Sequence, residues 1–345
     1  MPENILIIKP TSLGDVVHAL PVLAKLRDKF PGARISWLVA EGLAPLVESN
    51  GRLDAVYRFH RRAGGLFGTA RANVALAAAL RAAGFDCVVD LQGLLRSALF
   101  AWATRAPMRV GLSDAREGSR GFYTHVVKVN GAVHAVDRYL RVGEVLGFDG
   151  EEAHFGLEMP QWAHRAVERV LEGGGAAPPR PYIALSPGAR WSTKIWPAEN
   201  FVETARLLRE RCGGTVFPVG AASQACTAGA RITRELGGGV VNCVGRTSIE
   251  ELVALFGRMD MLITPDTGLL HVADALGLPL VAIFGPTDPE KTGPYVQRGR
   301  VLTSNACPQA PCFRRDCSRV PCDAMRAVSP REVFERAAAI LEDRG

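Results

Sequence analysis

The sequence predicts two α/β domains in series, each a parallel sheet covered by helices on both faces. Three observations predict it. Short apolar runs alternate with segments of helical spacing along most of the chain, and strands alternating with helices pair in parallel and are covered on both faces. The chain has 345 residues, too long for one ordinary domain. A Gly/Pro cluster at 173–181 interrupts the alternation near its middle. The expected division is a first domain over 1–160, a linker over 161–180 holding one amphipathic helix at 161–171, a second domain over 181–328, and a closing helix at 330–343 within 329–345.

In the first domain the run 5–9 reads as a buried strand. From 15 to 30, helical spacing places Val16, Leu20, Leu23 and Phe30 on one face, and Pro31-Gly32 ends the helix. Further strands are expected at 35–39, 55–59 and 87–90, with short ones at 110 and 126–129. Helices are expected at 44–48, 73–83, 94–104 and 135–146. Residues 61–70 are basic and glycine-rich and read as a loop. The second domain repeats the alternation, with strands at 182–185, 215–219, 261–263 and 280–284 and helices at 198–211, 225–236, 249–256 and 269–276.

Composition narrows the function. No run approaches eighteen apolar residues, so no transmembrane helix is expected. Met1-Pro2-Glu3-Asn4 leads directly into a strand with no signal-peptide pattern, which points to the cytoplasm. The formal charge is +6, and only six of the 41 basic residues are Lys. That excess suits an anionic small substrate, a membrane surface or nucleic acid. No basic run is interleaved with aromatics, so nucleic acid is not expected. Of eight cysteines, Cys87, Cys212, Cys226 and Cys243 sit singly among apolar or small residues and read as core thiols.

The most informative stretch is 263–288. An apolar run ends in Thr264-Pro265, and Asp266 and Thr267 open a helix with Gly268 in its first turn. A second apolar run then ends in Gly285-Pro286-Thr287-Asp288. Two polar loops therefore fall at the same end of a parallel sheet, where α/β proteins bind ligands. Free N–H groups at the helix start suit a phosphate.

The loop after strand 182–185 offers hydroxyls, N–H groups, Arg190 and the scarce Lys194 to a phosphate. The alternative is a solvated loop with Trp196 packed beneath it. Strand 5–9 ends in Pro10-Thr11-Ser12-Leu13-Gly14-Asp15. Ser12 or Thr11 can cap the next helix, and Asp15 could take a proton from a sugar hydroxyl. It could equally do no more than complement the helix dipole. No partner at metal-ligand spacing accompanies His271, and no Gly-x-Ser-x-Gly elbow occurs. Cys307, Cys312, Cys317 and Cys322 form an even row. A structural metal site, two disulfides and plain thiols all remain readings of it; the spacing matches neither zinc ribbons nor ferredoxins.

Taken together, several segments resemble the ADP-heptose:lipopolysaccharide heptosyltransferases of glycosyltransferase family 9. They are Ser12-Leu13-Gly14-Asp15-Val16-Val17-His18, Asp90-Leu91-Gln92-Gly93, Lys194-Ile195-Trp196-Pro197, Asp266-Thr267-Gly268-Leu269-Leu270-His271 and Phe284-Gly285-Pro286-Thr287-Asp288. The Ser-Leu-Gly-Asp form is similar to that of heptosyltransferase I. The resemblance implies a GT-B fold of two Rossmann-like domains facing a cleft. It also implies inverting, metal-independent transfer without a cofactor, from ADP-heptose to Kdo-lipid A or inner-core lipopolysaccharide at the cytoplasmic face of the inner membrane.

Residue roles follow from the same resemblance. Asp15 would be the base and Lys194 would hold the donor diphosphate. Ser192, Thr193, Gln224, Asp266, Thr267, Gly268, Leu269 and His271 would bind the donor. Ser12, Gly14, Arg61, Arg62, Gln92 and Arg96 would bind the acceptor. Two departures are visible: heptosyltransferase I carries an acidic residue after the Gly220 turn, where this loop reads Ala221-Ala222-Ser223-Gln224, and the loop before Lys194 reads Gly188-Ala189-Arg190-Trp191-Ser192-Thr193 instead of the enteric enzyme's Thr-Thr-containing form. Another family 9 acceptor, or nucleotide-sugar binding without transfer, stays open as an alternative.

Overall fold

Strand β1 (Asn4–Ile8) is flanked on both sides by parallel neighbours, β2 (Arg34–Ala40) and β4 (Cys87–Asp90). Its residues from Ile5 to Ile8 have no exposed surface, which is why the strand is written as an unbroken apolar run. With β3 (Ala55–Phe59), β5 (Met108–Leu112) and β6 (His125–Val127) it makes a six-stranded parallel sheet of order β3-β2-β1-β4-β5-β6. The computed structural model describes residues 1–61, 64–131, 133–172 and 178–343, and divides into two units, Met1–Glu158 and Met159–Gly345.

Six helices accompany the first sheet among the described residues: α1 (Leu13–Lys29), α2 (Pro45–Glu48), α3 (Gly65–Ala82), α4 (Leu95–Ala103), α5 (Ala135–Leu140) and α6 (Gly143–Leu146). Two depart from expectation. Most of the loop expected at 61–70 is the first part of α3. The alanine-rich stretch behind it has high helix propensity and carries the helix back to Gly65. The single helix expected at 135–146 is two, broken before Gly143, where a Cβ would lie 2.2 Å from the Phe148 carbonyl oxygen. Close packing also explains Gly111 in β5, since a Cβ there would lie 2.2 Å from the Tyr123 ring.

The second unit opens with α7 (Gln161–Glu172). The segment expected as a linker thus begins with a helix of this unit, packed along α10 (Ile249–Phe256) with Glu168 paired to Arg258. Its sheet holds β7 (Tyr182–Leu185), β8 (Thr215–Pro218), β9 (Met261–Pro265), β10 (Leu280–Ile283) and the short edge strand β11 (Val301–Leu302), all parallel, in the order β11-β10-β9-β7-β8. Helices α8 (Ala198–Cys212), α9 (Ala222–Leu236), α11 (Gly268–Ala275), α12 (Pro289–Thr292), α13 (Asp323–Arg326) and α14 (Pro330–Glu342) complete it. The C-terminal helix α14 packs along α8, and its Val333, Ala337 and Ile340 share one core with Ile183, Ile263 and Ile283. The indole N–H of buried Trp196 donates to the Val328 carbonyl at 2.9 Å and ties the start of α14 to β7's loop.

Strand order locates the candidate sites. In each sheet the order reverses once, between β1 and β4 in the first and between β7 and β9 in the second. Open α/β sheets bind ligands beyond the carboxyl ends of the strands at that reversal.

Candidate active site

At the reversal point of the first sheet, β1 runs into Lys9, and α1 begins with Ser12 at its cap and Asp15 in its first turn. One Asp15 carboxylate oxygen accepts from the Ser12 N–H at 3.0 Å and from its hydroxyl at 2.7 Å. The other accepts from the Tyr139 hydroxyl at 3.1 Å and lies 3.7 Å from the Lys9 ammonium. The Asp15 side chain is 41% exposed, so it keeps a face open to a ligand. Burial alone would raise its pKa. The Lys9 charge, the two bonds from Ser12 and the nearby His18 outweigh burial and hold the carboxyl well below the usual carboxylate range.

Lys9 itself is buried. Its ammonium sits over the Tyr139 ring at 4.7 Å and donates to the Leu91 carbonyl at 3.2 Å. Burial pushes its pKa down, but Asp15 and Tyr139 more than offset that and leave it raised. The β4 turn completes this edge. Asp90 accepts from the N–H groups of Gln92 (2.9 Å) and Gly93 (3.2 Å) and from the Tyr123 hydroxyl (2.8 Å). That turn holds Gln92, whose side-chain oxygen accepts from the Thr11 N–H at 3.2 Å. Gly14 is buried in the first turn of α1. Arg61 is exposed just past β3, and the Arg96 guanidinium lies 5.5 Å from the Phe59 ring centre at the end of that strand. Arg62 lies outside the described residues.

At the reversal point of the second sheet, Lys194 and Asp266 pair at 2.5 Å. Asp266 is 6% exposed, accepts from the Thr287 hydroxyl at 2.7 Å, and has the His271 Nε2 3.9 Å from its other oxygen. Lys194 lies 4.4 Å from the Trp191 ring centre, and Arg315 is 5.3 Å from the same ring. Thr267 caps α11 without a side-chain bond to the helix, so the first-turn N–H groups of Gly268 and Leu269 have no side-chain cap. Uncapped N–H groups at a helix start favour an anion.

Gln224 is exposed in the first turn of α9. Its backbone lies so close to Gly188 that a Cβ there would meet the Gln224 carbonyl oxygen at 2.8 Å. Glycine is what lets the loop after β7 pack on the start of α9.

Ser192 and Thr193 turn elsewhere. The Thr193 hydroxyl donates to the Arg314 carbonyl at 2.7 Å and that of Ser192 to the Arg315 carbonyl at 3.4 Å. Both tie down the cysteine-bearing segment, and Thr193 is buried while doing so. Among the described residues no group of three or more His, Cys, Asp or Glu side chains is placed to hold a metal ion. The four-cysteine row is therefore not gathered as a ligand set, and all four are free thiols. The reason is visible in their packing. Cys322 is buried in the core at the start of α13, Cys307 packs against that core, and the Cys317 sulfur accepts from the Arg319 N–H at 3.5 Å.

Lys9 and Tyr139 were not singled out in the sequence, and Asp90 and Thr287 stood there in recognised segments without an assigned role. Lys9 carried a signal, being one of six lysines in the chain and the end of the first apolar run.

Two Rossmann-like parallel sheets, each with ionic side chains at its reversal point, define the class of the fold as GT-B. The model of glycosyltransferase family 9 (heptosyltransferase) matches residues 73–322. The chain is 31% identical over 339 residues to lipopolysaccharide heptosyltransferase 1 of Pseudomonas aeruginosa, covering 94% of this chain and 90% of that one. It is also similar to a solved family 9 glycosyl transferase from Veillonella parvula, with a TM-score of 0.86, 23% identity and coverage of 99% and 97%. The E. coli heptosyltransferase WaaC, solved with ADP, aligns with a TM-score of 0.76, 23% identity and coverage of 98% and 99%. The chain belongs to glycosyltransferase family 9 and is an enzyme of the heptosyltransferase group. No helix among the described residues is long and apolar enough to cross a membrane.

Proposed function

We propose that the protein transfers L-glycero-D-manno-heptose from ADP-heptose to Kdo of inner-core lipopolysaccharide, with inversion and without a metal ion. The observation that carries the reading is the Asp15 carboxylate, held ionised by Lys9 and Ser12 yet open on one face. In this reaction the acceptor hydroxyl proton passes to Asp15, the hydroxyl oxygen bonds to the anomeric carbon, and the bond from that carbon to the ADP oxygen breaks. ADP leaves with the electron pair. Lys194 and the uncapped N–H groups of α11 stabilise that negative charge. A carboxylate of depressed pKa is always ready but weak. It therefore accepts the proton only as bonding to the sugar makes the acceptor oxygen acidic.

ADP in the E. coli neighbour and the name of the Pseudomonas relative support the choice of donor and of the first heptose step. Gln92, Arg61, Arg62 and Arg96 serve the acidic acceptor, and Gln224, Asp266, Thr267, Gly268, Leu269 and His271 the donor. A Kdo-bearing acceptor in the inner membrane places the enzyme at the cytoplasmic face of that membrane.

The test measures ADP release with ADP-heptose against Kdo-lipid A and against the same acceptor already carrying one heptose. Turnover confined to the heptosylated acceptor sinks the Kdo assignment. Near-normal turnover by Asp15→Ala sinks the base.

A further inference from the structure

Helix α4 is an amphipathic helix whose outer face is apolar instead of polar. Leu95, Leu99 and Trp102 are spaced four and three residues apart, which puts them in one stripe. All three are exposed, Leu99 at 44% and Trp102 at 59%. The neighbouring α3 exposes Phe67 at 93% and, seven residues on, Val74. Large side chains grouped like this on a surface mark an interaction site.

The charge around them is dominated by arginine, and one carboxylate beside them, Glu117, is held at the start of α4, where it accepts from the Leu95 N–H at 3.1 Å. Neither α3 nor α4 contains an Asp or a Glu, while Arg71, Arg81 and Arg96 on these helices and Arg105 just beyond them are exposed. From 61 to 109 the sequence holds seven arginines and two carboxylates, Asp86 and Asp90. Asp86 binds the Glu3 N–H at 2.7 Å and Asp90 is buried, so neither offsets the arginines at the surface.

We propose that the exposed face of α3 and α4 docks on an anionic lipid bilayer. An apolar stripe with a tryptophan, bordered by arginines, is the composition of a helix lying in a membrane interface. A second copy of this chain would bring like-charged arginines together, whereas anionic headgroups complement them. The position fits as well. α4 starts just past the Gln92-Gly93 turn, at the carboxyl edge of the sheet that carries Asp15. The stripe from Leu95 to Trp102 extends about 10 Å away along the helix. An acceptor held in a bilayer by acyl chains is thereby presented to the edge that carries the base. This last point rests on the acceptor proposed above; the docking surface itself does not.

The full chain is tested against vesicles of phosphatidylcholine with and without phosphatidylglycerol, some carrying brominated acyl chains. The wild type is expected to bind the anionic vesicles preferentially, with bromine quenching that disappears in Trp102→Phe. The pair Leu99→Glu and Trp102→Glu should weaken vesicle binding by at least about tenfold, because insertion of two large apolar side chains is lost. Thermal melting confirms that the variants stay folded, and Leu99→Gln with Trp102→Gln provides a milder pair.

Equal binding of wild type and both pairs overturns the proposal, as does a wild-type dimer that the substitutions dissolve. Turnover separates the two readings. The Glu pair should lose activity on vesicle-embedded acceptor and keep it, within about twofold, on a deacylated soluble acceptor. Wild-type failure on both acceptors refutes the acceptor assignment, and vesicle binding then decides the docking surface by itself.

Discussion

Replacing Lys9 with methionine removes the charge that holds Asp15 ionised and keeps much of the side chain's bulk. The ammonium lies 3.7 Å from the Asp15 oxygen. Two unit charges at that separation interact by about 4–5 kcal/mol at an effective dielectric near 20 and by about 1 kcal/mol in water. Asp15 is 41% exposed, so solvent screens the pair toward the lower figure. A loss of roughly 1–3 kcal/mol corresponds to a pKa rise of about 1–2 units.

The direction is fixed by what remains. Burial still pushes the carboxyl up, and without the Lys9 charge the bonds from Ser12 and Tyr139 and the nearby His18 oppose it less fully, so Asp15 moves toward the ordinary carboxylate range. A carboxylate with a lowered folded pKa stabilises the fold above its unfolded pKa and loses that contribution as pH falls, so Lys9→Met should also be less stable at neutral pH. The assay is kcat/KM for ADP release across the acid range, with thermal melting at each pH. In the wild type, protonation of Asp15 should limit turnover only well below pH ~4. In Lys9→Met the acid limb should move up by about 1–2 units. An unmoved limb in a folded variant refutes the argument that Lys9 sets the state of the base.

Four further outcomes are expected. Lys194→Ala should lower kcat/KM for transfer by about 100–1,000-fold, read from ADP release, if the lysine stabilises the departing diphosphate. Gly111→Ala should displace the Tyr123 ring and its bond to Asp90, costing about 2–4 kcal/mol, seen as a lowered melting temperature. Asp274→Ala should strip the N–H groups of Tyr295, Val296 and Gln297 of their shared acceptor and cost about 2 kcal/mol in denaturant unfolding. Transfer should persist in excess chelator, and loss of turnover restored by one added metal would contradict the metal-independent mechanism.

The sheet centres were legible because of how parallel strands are covered. β1, β4, β7 and β9 have buried centres covered on both faces and read as apolar runs, which in β4 and β9 give way to Asp90 and Thr264 at the carboxyl end. The edges were not. β11 spans two half-buried residues and lacks room for a pattern. The start of α3 was hidden by Gly64 and Gly65, read there as loop residues. In the site, Asp15 and Asp266 were visible because each stands where a strand gives way to a helix. Tyr139 bonds Asp15 across 124 residues, and no local spacing announces such a contact. The same holds for Thr193, whose partner carbonyl is 121 residues away; a hydroxyl in a phosphate-like loop was read as open when it fastens a distant segment. The rarity of lysine drew notice to Lys194 and applied equally to Lys9.

The pairing of Lys194 with Asp266 bears on how turnover ends. A diphosphate that engages this lysine does so beside a fixed carboxylate, 2.5 Å from the ammonium and almost wholly shielded from solvent. ADP-heptose brings a diphosphate diester, whereas ADP ends in a free phosphate with an additional ionisable oxygen. Repulsion from Asp266 therefore grows as the sugar is lost. In the proposed reaction the cation helps the leaving group form while its built-in counterion limits how tightly the product is kept, so product release restores the Lys194–Asp266 pair for the next donor.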